Sequence, residues 1–268
     1  MYSPSIGIIE YMVEIFEDIR RRHSIDGTKL IHAFFNRENI KKLSKLHNIE
    51  GGKSDSFIFN TKNRVFTIKI ITQNEVQNLL NILPDYYKRI KSTSSKLVRI
   101  YGLFKILPEK INILLMQNLI PNRKTSVIFD LKGSQQGRAV PIEKFPIART
   151  VLKDQNFKES GIKISLNRDT ESLIFALKKD FEVLQNCQIV DYSLIVAINI
   201  SKFRNSNRIF LDEKVTIGVI DFLQSYNFCR KAEHAFKVLR AQKNFSMIQP
   251  QEYCKRISLF LNEVFEVV

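Results

Sequence analysis

Apolar residues recur at helical spacing near the start of the chain and then change to a strand-like pattern. Residues 6–22 place apolar side chains on one face and charged side chains on the other, which predicts an amphipathic helix, and residues 28–46 predict a second. Residues 56–60 and 64–71 are rich in β-branched and aromatic side chains and flank three polar residues, which predicts a hairpin. We therefore expect helices combined with an antiparallel sheet.

The remaining pattern predicts further elements on either side of a polar, proline-containing joint at residues 119–126. Before the joint, the pattern predicts a helix at residues 75–90 and strands at 98–104 and 111–116. After it, the pattern predicts strands at 127–131, 191–198 and 215–222 and helices at 170–184 and 251–264. The predicted fold is α+β with two lobes, residues 1–118 and 119–268.

Composition narrows the class of protein but not its function. The 268 residues are 44% hydrophobic, which is ordinary for a folded chain and excludes intrinsic disorder. A net charge of +15 indicates a polyanionic partner, namely a nucleic acid, an anionic bilayer or a phosphorylated ligand. The three cysteines have no zinc-type spacing, and no apolar run reaches membrane-spanning length. We expect a reduced, cytoplasmic protein.

A small-residue segment precedes the predicted hairpin. Gly52, Lys53 and Ser54 lead into its first strand, and Lys69 lies on its second strand. Small residues let backbone N–H groups approach a phosphate, which a strand lysine can also reach. The alternative is an ordinary glycine-containing turn with one exposed lysine, because the segment is not a P-loop motif.

Polar residues also follow the strand predicted at residues 127–131. Asp130, Lys132, Ser134 and Arg138 combine charged groups with a hydroxyl, and Gly133 would give backbone access to a phosphate. These residue types can hold a nucleotide phosphate. The alternative is a polar loop that closes a buried strand.

Two acids, Asp191 and Asp221, each follow an apolar run and lie thirty residues apart. Phosphoryl transfer needs one acid near the attacking hydroxyl and another that holds magnesium at the phosphates. The alternative is a pair of acids that merely cap strand ends. Spacing alone does not rank this pair above the other candidate carboxylates, Asp85, Asp154 and Asp180.

Together these motifs resemble the phosphatidylinositol phosphate kinase family, in its order and over most of the chain. The matching segments are Glu50–Ser54, Phe66–Ile70, Leu83–Tyr87, Phe129–Ser134 with Arg138, Leu152–Asp154, Val190–Leu194 and Ile220–Gln224. The DLKGS and DYSL elements within them are specific to that family. The resemblance implies a two-lobed kinase-like fold with an ATP cleft between the lobes, ATP and Mg²⁺ as cofactors, and a phosphoinositide lipid as substrate.

The resemblance also assigns catalytic roles. Asp191 would orient the lipid hydroxyl, and Asp221 would bind magnesium. Lys132 is similar to a family lysine close to the transferred phosphate, and Asp130 belongs to the same motif.

Nucleotide-binding roles follow from the same resemblance. Lys69 would pair with the ATP phosphates and take Glu75 as its helix partner. Residues 52–54 would form the phosphate loop, although Asp55 stands where the family prefers glycine. Asn118 and Leu119 would belong to the adenine hinge.

A segment that resembles the family's activation segment follows Asp221. Arg230, Lys231 and Lys237 would face an anionic membrane, and Arg138 would line the cleft beside the substrate. Glu233 stands where kinases of phosphatidylinositol 4-phosphate carry glutamate, which favours a 5-kinase located at the cytoplasmic face of a membrane.

The sequence leaves one alternative function open and disfavours two others. A catalytically silent protein that binds phosphoinositide membranes remains an alternative because of Asp55. Nucleic-acid binding is not expected, since no helix-turn-helix, zinc-finger or RRM motif occurs, and neither HRD nor DFG marks a protein kinase. The pattern predicts no oligomeric state.

Overall fold

The structure is a computed structural model. It describes residues 7–28, 30, 58–61, 63–107, 110–134, 137–141, 150–165, 169–199, 208–210, 215–227 and 248–267. The chain divides into two compact units, one made of Met1–Asn81 with Val98–Pro121 and the other of Ile82–Leu97 with Asn122–Val268. The predicted lobes, 1–118 and 119–268, stay a prediction.

The first unit contains five strands, namely β1 (Gly7–Tyr11), β2 (Ile58–Asn60), β3 (Phe66–Ile71), β4 (Ile100–Leu107) and β5 (Ile111–Gln117). They form one antiparallel sheet in the order β1-β4-β5-β3-β2. Helix α1 (Val13–Arg22) follows β1, and helix α2 (Gln73–Ile90) begins in this unit. The interior strands β3, β4 and β5 read as nearly continuous apolar runs because most of their residues are buried.

Part of the single helix predicted for residues 6–22 is wrong. Residues Gly7–Tyr11 form a strand that pairs with β4, with Gly7 opposite Leu107. Met12 then turns the chain with a left-handed φ of 49°, and the helix begins only at Val13. These residues form a strand and not a helix because pairing with β4 satisfies their backbone hydrogen-bonding groups. Local periodicity does not encode this contact. The predicted helix at 28–46 lies almost entirely outside the described residues.

The elements of the second unit are, in chain order, β6 (Ser126–Leu131), β7 (Val151–Leu152), α3 (Asp154–Ser160), β8 (Lys163–Ser165), α4 (Thr170–Asn186), β9 (Ser193–Asn199), β10 (Arg208–Phe210), β11 (Val215–Ile220) and α5 (Pro250–Val264). Four strands form a sheet in the order β11-β9-β6-β7, and β8 forms a parallel pair with β10. The larger sheet is antiparallel except that β7 runs parallel to β6. Helices α4 and α5 pack together in this unit.

The long elements of this unit confirm the predictions to within a few residues, as α4, β9, β11 and α5 show. The short elements β7, α3, β8 and β10 were not predicted, because runs of two to seven residues carry little periodicity. Helix α3 ends at Ser160 and is followed by Gly161, whose φ of 65° suits a left-handed C-cap. Among the described residues, no helix has the length and apolar character needed to cross a bilayer.

Candidate active site

Asp191 and Asp221 lie at neighbouring strand ends in the second unit. Strand β9 begins two residues after Asp191, and β11 ends directly before Asp221. Ser193 and Ile220 are paired across this antiparallel ladder, so both acids lie at one edge of the sheet. Both have left-handed backbones, with φ of 62° and 60°. Aspartate tolerates this conformation better than most residues, and such backbones often occur at functional sites.

Lys132 lies at the same edge. Strand β6 ends at Leu131, which pairs with Leu194 of β9, so Lys132 follows at the sheet edge where Asp191 lies. The Nζ atom of Lys132 contacts Oδ1 of Asp191. The lysine side chain is 16% exposed and the aspartate side chain 49%. An accessible carboxylate beside an enclosed cation can accept a proton from a ligand while the cation neutralises anionic charge.

A buried carboxylate organises the loop that carries Lys132. Asp154 begins α3 and is 0% exposed. Its Oδ1 accepts the backbone N–H groups of Lys132 at 2.9 Å and of Ser134 at 3.0 Å. Its Oδ2 accepts a bond from Nε of Arg138 at 2.5 Å. Because charge-assisted bonds from three directions fix geometry well, Asp154 holds this loop in place.

Arg138 joins Asp154 to Asp130. One terminal nitrogen donates to the backbone oxygen of Asp130 at 2.8 Å and to its Oδ1 at 3.1 Å. Burial acts to lower the pKa of Arg138, but the hydrogen bond to Asp154 and the charge of Asp130 outweigh it, so the pKa lies above its ordinary value. These contacts bring Asp130 and Arg138 into one cluster. The role of Arg138 toward the lipid stays a prediction.

Gly133 lies where the loop after β6 packs against α5. It is buried, with a φ of 68°. A Cβ atom here would lie 2.9 Å from Cα of Ile257 and 3.1 Å from the backbone oxygen of Arg256, both on α5. Close packing between the loop and α5 therefore requires glycine here, and backbone access to a phosphate at this position stays a prediction.

Lys69 belongs to the first unit and lies in the middle of its sheet, opposite Leu114 of β5. It is 6% exposed, so the alternative of an ordinary exposed strand lysine is wrong. Its Nζ lies 3.6 Å from Oε1 of Glu75, the partner that the resemblance implied. Glu75 also closes a capping box at the start of α2, because its Oε2 accepts the backbone N–H of Thr72 at 2.8 Å.

Asn118, assigned to the adenine hinge, follows β5. Its backbone N–H donates to the oxygen of Val65 at 3.1 Å, and its Nδ2 donates to the oxygen of Arg64 at 2.8 Å. Its side-chain oxygen accepts the N–H of Ile120 at 3.1 Å. The side chain thus fixes the turn after β5, while Leu119 beside it is half-buried. The contact of both residues with adenine stays a prediction.

Several predicted site residues lie outside the described residues. They are the phosphate-loop residues Gly52, Lys53 and Ser54 with Asp55, and the activation-segment residues Arg230, Lys231, Glu233 and Lys237.

The described part of the chain contains no group of three or more acidic, histidine or cysteine side chains suited to a metal ion. Asp221 is exposed at its strand end. Magnesium usually keeps several waters and takes only one or two protein carboxylates together with substrate phosphates. One exposed carboxylate therefore fits magnesium that arrives with a nucleotide, and it does not fit a protein-enclosed structural ion.

The structure separates the carboxylates that spacing did not rank. Asp180 is 0% exposed and forms an ion pair with Arg89, whose Nε lies 2.8 Å from its Oδ1. It accepts hydrogen bonds from Oγ of Ser95 at 2.9 Å and from the backbone N–H of Lys96 at 2.6 Å. Like Asp154, it has its donors supplied by the protein. In the sequence, the sign that Asp180 is buried was a charged residue on the apolar face of its helix. For Asp154 the signal was its place in Leu152–Asp154, one of the segments that carry the resemblance.

Comparison with known proteins identifies a family and several relatives of this chain. A family model described as phosphatidylinositol-4-phosphate 5-kinase matches residues 38–214 and 202–264. Phosphatidylinositol 4-phosphate 5-kinase 1 of Arabidopsis thaliana is 26% identical, with 96% of this chain and 44% of the relative covered. The phosphatidylinositol 4-phosphate 5-kinase of Plasmodium falciparum is 27% identical, with 94% of this chain and 18% of the relative covered.

A relative named for another substrate is equally similar. The 1-phosphatidylinositol-3-phosphate 5-kinase FAB1B of Arabidopsis thaliana is 29% identical over 98% of this chain and 15% of the relative. The chain spans less than half the length of each of these relatives. The family model nevertheless matches well over half of the chain, including every strand end that carries the site. The chain therefore belongs to the phosphatidylinositol phosphate kinase family of lipid kinases.

Proposed function

We propose that this protein transfers the γ-phosphate of ATP to the 5-hydroxyl of a phosphatidylinositol monophosphate. Membership in a kinase family implies ATP use. The named relatives differ in the phosphate already on their lipid, but the names of all three describe 5-kinases. The observation that carries the proposal is the contact between Lys132 and Asp191, because it unites a phosphate-binding cation with an accessible carboxylate.

Asp191 has the properties of the group that receives the hydroxyl proton. As the ring oxygen attacks the γ-phosphorus, the bond to the bridging oxygen of ADP breaks and the proton passes to the carboxylate. Lys132 neutralises negative charge on the transferred group, and Lys69 does so on the remaining phosphates. Asp221 would hold magnesium, which supplies charge neutralisation at the phosphates when it is bound.

The preferred lipid is phosphatidylinositol 4-phosphate, and the product is phosphatidylinositol 4,5-bisphosphate. Glu233 supports this preference, since the resemblance places it where kinases of the 4-phosphate carry glutamate. Arg230, Lys231 and Lys237, together with Arg240 and Lys243, would hold the protein at an anionic cytoplasmic leaflet. Each basic residue near such a surface contributes about 1 kcal/mol.

The decisive experiment incubates purified protein with labelled ATP, Mg²⁺ and vesicles that each carry one phosphoinositide. We expect a labelled bisphosphate from vesicles that contain the 4-phosphate. Asp191→Asn and Asp221→Asn should each reduce its formation by at least about a hundredfold. Asp169→Asn is the matched control, because Asp169 is exposed and its side chain caps no helix. Full turnover in both active-site variants would contradict the proposed mechanism.

The same vesicles separate the substrates. A product made only from the 3-phosphate would instead assign this protein the substrate that is named for the relative FAB1B. If no lipid is phosphorylated, an ATP titration by thermal shift, with and without Mg²⁺, tests the silent alternative. Absence of stabilisation by nucleotide, together with retained binding to vesicles, would favour a phosphoinositide-binding pseudokinase.

Membrane docking has its own test. Arg230→Glu with Lys231→Glu should weaken binding to anionic vesicles more than the reversal of Lys178 and Lys179, which belong to α4. Equal loss in both double variants would indicate that basic charge anywhere on the surface suffices.

A further inference from the structure

Tyr253, on helix α5, lies against the peptide that follows Asp191. Its side chain is 2% exposed, and its hydroxyl donates a hydrogen bond to the backbone oxygen of Tyr192. The two tyrosine rings also pack edge to face, with centroids 4.8 Å apart and an interplanar angle of 65°. One side chain on α5 thus contacts both the backbone and the ring of the residue next to Asp191.

Asp191 needs support from both sides because of its left-handed backbone, with a φ of 62°. On the N-terminal side, the N–H of Val190 donates to the backbone oxygen of Gln224 at 3.1 Å. On the C-terminal side, the support is the bond from Tyr253 to Tyr192. The backbone on either side of Asp191 is therefore held by one contact each, and on the C-terminal side that contact comes from a side chain.

The same helix also supports the loop that carries Lys132. Gly133, the next residue, packs against the backbone of Ile257 so closely that a Cβ atom would lie 2.9 Å from its Cα. Helix α5 therefore contacts the residue after Lys132 and the residue after Asp191, the two side chains that meet in the candidate active site.

The charge state of Tyr253 suits a permanent donor. Burial raises the pKa of its phenol, and the negative charge of Asp191 raises it further. Arg256 and Arg138 act in the opposite direction without cancelling these effects, while Asp130 adds to them. The phenol stays protonated, so its hydrogen bond persists through the pH range of any kinase assay.

We propose that Tyr253 is a positioning residue that holds Asp191 in its reactive orientation by fixing the Tyr192 peptide. This inference rests on the proposed function of Asp191 as the acceptor of the hydroxyl proton. Tyr253 lies beyond Ile220–Gln224, the last segment that carries the resemblance, and belongs to none of the motifs. Its part in the reaction is indirect, because it touches the backbone beside the acid.

The test removes one oxygen atom with Tyr253→Phe, which keeps the ring and its packing. We expect kcat to fall about tenfold while the KM for ATP stays within about twofold, because a small misplacement of a reacting group slows the chemical step. Hydrogen exchange of the amides at residues 189–193 should become faster. The matched control is Tyr101→Phe, at a buried tyrosine of the first unit that is 5% exposed. This variant should change neither kcat nor the hydrogen exchange at residues 189–193.

Two outcomes overturn the proposal. A purely structural role predicts a lower Tm with an unchanged kcat for the folded protein, and unchanged exchange at 189–193 contradicts any positioning role. The exchange measurement needs no catalysis. If the unaltered protein phosphorylates no lipid, the proposed function fails, and faster exchange in Tyr253→Phe but not in Tyr101→Phe still supports the structural part of the inference.

Discussion

Nε of Arg138 lies 2.5 Å from Oδ2 of Asp154, and the side chain of that aspartate is completely buried. The same carboxylate also accepts two backbone N–H groups from the loop that carries Lys132. A buried charge is tolerated only when it is paired and fully hydrogen-bonded, and here the guanidinium and the two amides meet that condition. Stability and the geometry of the site therefore depend on one carboxylate.

Asp154→Ala should lower the free energy of unfolding by about 3–5 kcal/mol, because it removes the acceptor of three buried donors. Urea denaturation measures this change. The control is Glu182→Ala, which breaks the ion pair with Lys179, in which both side chains are about half exposed. This variant should lower the free energy of unfolding by less than about 1 kcal/mol. Equal costs in the two variants would show that Asp154 is not the organising group.

Gly133→Ala should destabilise the protein more than Gly161→Ala. The two glycines have similar left-handed backbones, with φ of 68° and 65°. An added Cβ would lie 2.9 Å from Cα of Ile257 at position 133, whereas nothing lies within 4 Å at position 161. Gly161→Ala then costs about 1 kcal/mol from backbone strain alone, and Gly133→Ala at least about 2 kcal/mol more. Thermal denaturation of both variants checks the difference, which would vanish if α5 did not pack on the loop.

Glu75 combines a helix cap with an ion pair to Lys69, and two variants separate these roles. Glu75→Gln keeps an acceptor for Thr72 but loses the charge, so we expect weaker ATP binding with a stability change within about 0.5 kcal/mol. Thr72→Ala removes the cap and should cost about 1 kcal/mol with ATP affinity within about twofold. Calorimetric titration with ATP measures both. ATP affinity unaffected by Glu75→Gln would argue against a role for the pair in nucleotide binding.

Cys187 should be a slow thiol at neutral pH. Burial, together with the carboxylate of Asp85 at 3.6 Å, raises its pKa from 9.0 to about 11. Since the thiolate is the reactive form, the labelling rate follows the thiolate fraction, which at pH 8 is about one in a thousand for Cys187 and about one in ten at the ordinary pKa. Iodoacetamide labelling followed by peptide mass spectrometry should show a rate about a hundredfold below that of the urea-denatured protein.

The labelling rate should also rise about tenfold per pH unit between pH 8 and 10, because deprotonation is incomplete throughout that range. Asp85→Asn removes the nearby negative charge, lowers the pKa of the thiol and should speed labelling of Cys187. Labelling of the folded protein at the denatured rate would show that the thiol is not in this environment.

The elements of the second unit show which parts of the fold were predictable. Helices α4 and α5 and strands β9 and β11 are long enough for their periodicity to be visible, so their predicted bounds differ from the observed ones by a few residues. In the first unit, strand β1 was missed because its conformation depends on pairing with β4, about ninety to a hundred residues further along the chain. Helix α3 was missed because seven residues with a polar first turn carry no clear pattern.

By itself, the sequence determined the family and the residue types that the chemistry needs. The motifs around Asp130, Lys132, Asp191 and Asp221 consist of residues adjacent in the chain, so they can be recognised without a structure. Only the tertiary structure decided that Lys132 meets Asp191, since that contact requires β6 and β9 to pair in one register. It also decided the roles of Asp154 and Tyr253, because burial and hydrogen-bond partners arise from segments that are distant in the chain and are therefore invisible to spacing.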